Sequence, residues 1–217
     1  MHVLSESWQL LNFGGPLIWP LLLLAVLMVA ILLDKTYVYW RYTRPPAALR
    51  HLLADADVAW NELDHYAATS DPNHHYVRFL RVILKNRQRP MWWTESRAGD
   101  ESLAIERVLG RGLWVLETIV TAAPLLGLLG TIYGMMHAFH LFGAHGLVDP
   151  KGVTSGVATA LIATAVGLAV ALVALFGFNY FSRLQGRTLD ELERMGTRLL
   201  DRARLESESG EVAHETA

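Results

Sequence analysis

The sequence has no cysteine. Disulfide scaffolds, thiolate nucleophiles and cysteine-ligated metal sites are therefore excluded. A surplus of charge is missing too: 19 Lys and Arg stand against 21 Asp and Glu, for a net charge of −2. Nucleic-acid binding needs a basic stripe, and this balance does not provide one. Charge of either sign is absent from three long stretches: Ser7 to Leu33, Thr118 to Val148, and the block from Val153 to Phe181. No nucleophile–base pair, phosphate loop or metal-ligand cluster is spaced for such chemistry, so the sequence supports neither an enzyme nor a cofactor. There is no internal repeat or low-complexity segment.

What is present is apolar sequence in three blocks. A helix crosses a bilayer with about 20 apolar residues, and each block is long enough. The fold class expected is an all-α polytopic membrane protein with three transmembrane helices. The expected division is a short N-terminus over 1–12, a first span over 13–36, a polar helical region over 37–112 and a second span over 113–142. A turn over 143–152, a third span over 153–182 and a helix and tail over 183–217 follow. A cleaved signal peptide is the competing reading of the first block. Against it, no basic segment precedes the block and no small-residue cleavage site follows Leu33.

Beyond the first span, Tyr37, Tyr39, Trp40 and Tyr42 form an aromatic belt, and Asp34 beside Lys35 is read as an interfacial anchor or ion pair. Pro45-Pro46 ends this helix and starts another. Leu49, Leu52, Leu53, Trp60 and Leu63 then recur at helical spacing. Ser70 to Asn73 reads as a turn, His74 to Lys85 as a short helix, and 86–99 as irregular. His74 and His75 are expected to be solvated, and Trp92-Trp93 is read as a partner-docking or membrane-surface pair. A helix is expected to restart near Asp100-Glu101 and to run unbroken through Leu113 into the second span. The polar end from Glu206 to Ala217 is expected to be disordered.

Positive charge gives the orientation. No Lys or Arg precedes the first span, whereas Lys35, Arg41, Arg44 and Arg50 follow it. The turn between the later spans has only Lys151, and the tail has six arginines from Arg183 to Arg204. The positive-inside rule predicts an N-terminus outside, with the polar region and C-terminus in the cytoplasm.

The later spans carry small residues at helical spacing. Gly127, Gly130 and Gly134 share a face of the second, with Thr131 beside them, and Gly130 and Gly134 make a G-x-x-x-G pair. Gly156, Ala160, Thr164, Gly167, Ala171 and Ala174 do the same on the third. These stripes predict close packing of the two helices. The segment Ala-Pro-Leu-Leu-Gly-Leu-Leu-Gly-Thr-x-x-Gly-Met, ending at Met135, resembles the second transmembrane helix of the ExbB/TolQ proton-channel family, distantly akin to the flagellar stator protein MotA. The third span resembles the family's Gly-x-Ala-x-Ala-Leu-x-x-Thr-x-x-Gly-Leu helix. Phe13-Gly-Gly-Pro-Leu-Ile-Trp-Pro is similar to its first, with Asp34-Lys35 where Glu-Arg is common.

The resemblance implies an ExbB-like subunit of a proton-driven motor in the bacterial inner membrane. It implies a homopentameric ring around an ExbD-like single-span partner with an intramembrane aspartate, and a TonB-like protein as the output. A TolQ-like role in envelope integrity and division, or a non-conducting membrane scaffold, are the alternatives. The hydroxyls matching Thr131 and Thr164 line the family's pore. Where the family has a glutamate on the third helix, this chain has Thr159, a weaker pore-lining candidate about 140° round the helix from Thr164. Neither later span is then expected to hold an acidic residue. Because a threonine cannot carry a titrating proton, the carboxylate would come from the partner. The plainer reading is that a membrane threonine returns its hydroxyl to its own helix backbone. His137 and His140, one turn apart, could titrate or bind a metal, but without a third ligand their interfacial position explains them better.

Overall fold

The computed structural model describes residues 16–44, 46–54, 59–143 and 150–215. The N-terminal stretch 1–12, the first residues of the first span and turn residues 144–149 lie outside these, as does the side chain of His140. Helix α1 is Ile18–Val38 and passes into a π-helical turn, Tyr39–Thr43. Short helices follow: α2 (Ala47–Ala54), α3 (Trp60–Thr69), α4 (His75–Asn86) and α5 (Met91–Gly110). Two long helices complete the chain, α6 (Leu113–Gly143) and α7 (Pro150–Glu215). Among the described residues there is no strand. Three helical stretches, Ile18–Thr43, Met91–Phe139 and Gly152–Glu206, are long and apolar enough to cross a membrane.

The chain divides into two compact units, one of Met1–Leu33 with Gly112–Phe181 and the other of Asp34–Arg111 with Ser182–Ala217. The first is built from α1, α6 and the apolar half of α7. Its interior is lined by small residues, Ala123, Ala138, Ala160, Ala163 and Ala174, with Leu21, Leu116 and Ile119. The outside of the same helices is apolar and exposed: Trp114, Leu125, Met136, Leu161 and Phe176 are each more than 60 % accessible. An apolar core with an apolar exterior is the pattern of a lipid-facing bundle, which helices suit because they bond their backbone internally.

The second unit has a soluble-type core. Helix α4 buries Tyr76, Val77, Phe79, Leu80, Ile83 and Leu84 and packs against α5, α3 and the π-turn. The polar half of α7 closes it with Leu192, Met195 and Leu199. Trp60 donates to Glu206 over 2.6 Å, and Arg204 pairs with Glu95 at 3.4 Å.

Four expectations need correction. Helix α5 begins at Met91, not near Asp100: Pro90 provides an N-terminal stop, and Thr94, Ala98, Ile105 and Leu109 fall on one buried face. The helix does not run unbroken into the second span. It stops at Gly110, and Gly112 turns the chain with φ +83°, a left-handed conformation open to glycine. Lys35 forms no contact ion pair with Asp34. It is 1 % exposed, and its Nζ donates to the carbonyls of Leu109 (2.9 Å) and Val108 (3.3 Å), completing the last turn of α5 as a cation suits a helix C-terminus. Lastly, α7 stays helical to Glu215, well past Glu206.

Candidate functional site

The chemistry open to the first unit lies where α6 and α7 meet. Both helices present small residues, so their backbones approach within contact distance. A Cβ built on Gly127 would lie 3.1 Å from the Ala163 carbonyl oxygen and 3.1 Å from the Thr164 Cα. On Gly134 it would meet Ala160 Cβ and the Gly156 carbonyl, each at 2.9 Å. On Gly156 it would meet Ala138 Cβ at 2.7 Å, and on Gly167 the Ala123 carbonyl at 2.6 Å. A Cβ on Gly130 would lie 2.5 Å from that of Ala163. Residue numbers rise along one helix as they fall along the other, so the pair is antiparallel.

The three threonines behave differently. Thr164 donates across the seam to the Gly127 carbonyl at 2.9 Å. Thr131 returns its hydroxyl to Leu128 at 2.6 Å, and Thr159 to Ser155 at 2.9 Å, the local bonding usual for a helical threonine. All three are partly accessible. By helical geometry Thr131 and Thr164 flank the seam on one side and Thr159 flanks it on the other. The His137 side chain is exposed.

Two site features escaped the sequence reading. Glu117 lies in the second turn of α6, so the second span does hold a carboxylate. In the sequence it stands just outside the long uncharged run that begins at Thr118. In the second unit, His74 and His75 are not a solvated pair: His75 is 3 % exposed, and neither of its ring nitrogens has a hydrogen-bond partner. Burial, with Arg78 and His74 nearby, pushes the His75 imidazole down to about 4. Burial also lowers His74, whose Nε2 lies 3.0 Å from the Arg44 carbonyl. Among the described residues no group of His, Asp and Glu is arranged to hold a metal.

Residues 73–194, taking in α4 through most of α7, match the model of the MotA/TolQ/ExbB proton channel family. The chain belongs to that family. It is a membrane protein of the ExbB-like biopolymer transport branch. It is 31 % identical over 195 residues to an ExbB-like biopolymer transport protein of Synechocystis, covering 86 % of this chain and 74 % of the relative. It is 30 % identical over 192 residues to the biopolymer transport protein exbB1 of Vibrio cholerae, covering 85 % and 83 %. A shorter match, 38 % over 79 residues, joins it to ExbB of Aquifex aeolicus, with 36 % of this chain and 53 % of that one covered. In this ExbB-type protein the small residues of α6 and α7 meet at the seam, with Thr131 and Thr164 on one flank and Thr159 on the other.

Proposed function

We propose that this chain is the ExbB-like subunit of an inner-membrane motor that uses the proton gradient, with an ExbD-like partner, to energise a TonB-like protein. The observation that carries the reading is the flank shared by Thr131 and Thr164, in helices that hold no carboxylate at that depth. The exposed apolar sides of α6 and α7 offer surface to neighbouring copies, to a partner helix and to lipid, in a ring for which a pentamer is expected. In the proposed orientation the N-terminus is periplasmic, and the second unit and C-terminus are cytoplasmic.

In this arrangement Thr131 and Thr164 hold water around an aspartate supplied by the partner. Threonine hydroxyls donate and accept without taking charge, which suits hydration of a titrating group. Replacing either by valine preserves shape but dries the site, disfavours the charged carboxylate and slows proton release. The test is proton uptake into vesicles holding this chain and its partner, followed with a pH-sensitive dye, alongside growth that depends on energised uptake. Thr131→Val and Thr164→Val should both lower flux, and the serine variants should retain more of it. Wild-type flux and growth in both valine variants at normal protein levels would remove these residues from the path. Damage from Thr159→Val alone would move the path to the other flank. No partner-dependent flux at all would favour the scaffold alternative, and restored envelope integrity without energised uptake would favour the TolQ-like role.

A further inference from the structure

We propose that Glu117 is the group through which protons leave the conducting path at the end of α6 joined to α5. The role rests on the path proposed above. Among the described residues of the first unit, Glu117 is the one carboxylate. It is exposed and makes no hydrogen bond or ion pair among the described residues. Ionisable residues on membrane helices are rare, and such groups commonly mark ion and proton routes.

Its position on α6 is specific. Glu117, Pro124 and Thr131 are seven residues apart, and fourteen residues of helix bring Glu117 within about 40° of Thr131 at about 21 Å along the axis. Pro124 has no amide hydrogen and lies inside the helix, so the Val120 carbonyl, four residues back, loses its helical donor. Thr121 lies between them, exposed, and its hydroxyl donates to Thr118 at 2.9 Å, which leaves its oxygen able to accept. Water held by the freed Val120 carbonyl and the Thr121 hydroxyl, about one turn from Glu117 and about 15 Å from Thr131, would extend the hydrated flank to Glu117, as freed groups at a membrane proline are commonly re-satisfied. The step is a plain proton transfer. The carboxylate takes a proton from water on the path and becomes a neutral acid, then returns the proton to water at the membrane face.

A structural alternative exists, because an acidic residue near a helix N-terminus is favoured by the helix dipole. The experiment separates the two. In vesicles with the partner present, Glu117→Gln should lower proton flux about tenfold or more, as loss of a positioned proton-transfer group does. Glu117→Asp should keep most of the flux. A membrane-impermeant buffer at high concentration on the cytoplasmic side should partly restore the Gln variant, because a mobile base replaces the missing one. Wild-type flux in Glu117→Gln overturns the proposal, as does a loss that neither aspartate nor buffer restores. Thr131→Val in the same vesicles reports on the path itself. If it slows flux while Glu117→Gln does not, the exit role alone falls; if the wild-type assembly shows no partner-dependent flux, both fall.

Discussion

Thr164 of α7 donates its hydroxyl to the carbonyl of Gly127 on α6, 2.9 Å away. One residue thereby serves two ends. Its hydrogen is committed to the helix seam, and its oxygen lone pairs stay open to water on the flank it shares with Thr131. Thr131, bonded to its own helix, contributes nothing to the seam in this way.

Thr164→Val should therefore lower the stability of the α6–α7 hairpin, and Thr131→Val should leave it nearly unchanged. Interhelical hydrogen bonds in membranes average about 0.6 kcal/mol and reach about 1.7. Apparent Tm in mild detergent checks the difference. A larger drop for Thr131→Val would contradict the assignment of the two bonds.

Gly167→Ala should be far more damaging than Gly99→Ala. The added methyl at Gly167 would lie 2.6 Å from the Ala123 carbonyl, a backbone atom that cannot turn aside, whereas nothing lies within 4 Å at Gly99. Gly99 is inside α5, and alanine there should stabilise by up to about 1 kcal/mol. Thermal unfolding of the two variants, with the assembled fraction measured by mass, decides it.

Lys35→Met keeps the length of the side chain and removes its ammonium from the Val108 and Leu109 carbonyls. A hydrogen bond from a charged donor contributes about 1.5–3 kcal/mol. The last turn of α5 should fray, giving faster amide hydrogen exchange near Leu109 with little change near Leu80. Unchanged exchange at the end of α5 would show that the lysine does not hold it.

His75 makes the second unit sensitive to acid. Its folded value is lowered from the usual 6.5 to about 4, so the unfolded chain binds the proton more readily. Stability is full above about pH 6.5, falls as pH drops from there towards 4, and levels off below. The loss is on the order of 3 kcal/mol for a shift of this size. His74, lowered by the same cause, acts in the same direction. His75→Gln should flatten the profile of apparent Tm between pH 7 and pH 4; an unaltered slope would place the sensitivity elsewhere.

The sequence by itself determined the helical class, the three apolar runs and the family. Each rests on information that is local or strictly periodic: long uncharged stretches, glycine at intervals of three and four, and a contiguous motif from Ala123 to Met135. The same periodicity put Gly127, Gly130, Gly134, Gly156 and Gly167 on two stripes. Only the tertiary structure decided which neighbours those glycines meet, and that Thr164 reaches across the seam while Thr131 and Thr159 do not. A hydroxyl's choice between its own backbone and another helix depends on an approach distance that no single helix encodes. The break at Gly112 was hidden because a glycine inside a helical pattern reads alike whether its φ is negative or positive. The roles of Lys35 and His75 were hidden because residues 73 or more positions away, or a whole buried layer, supply their surroundings. Burial is a property of the assembled core, and it turned a lysine read as an interfacial anchor or ion pair into a helix-end clamp and a histidine read as solvated into an acid-sensitive group.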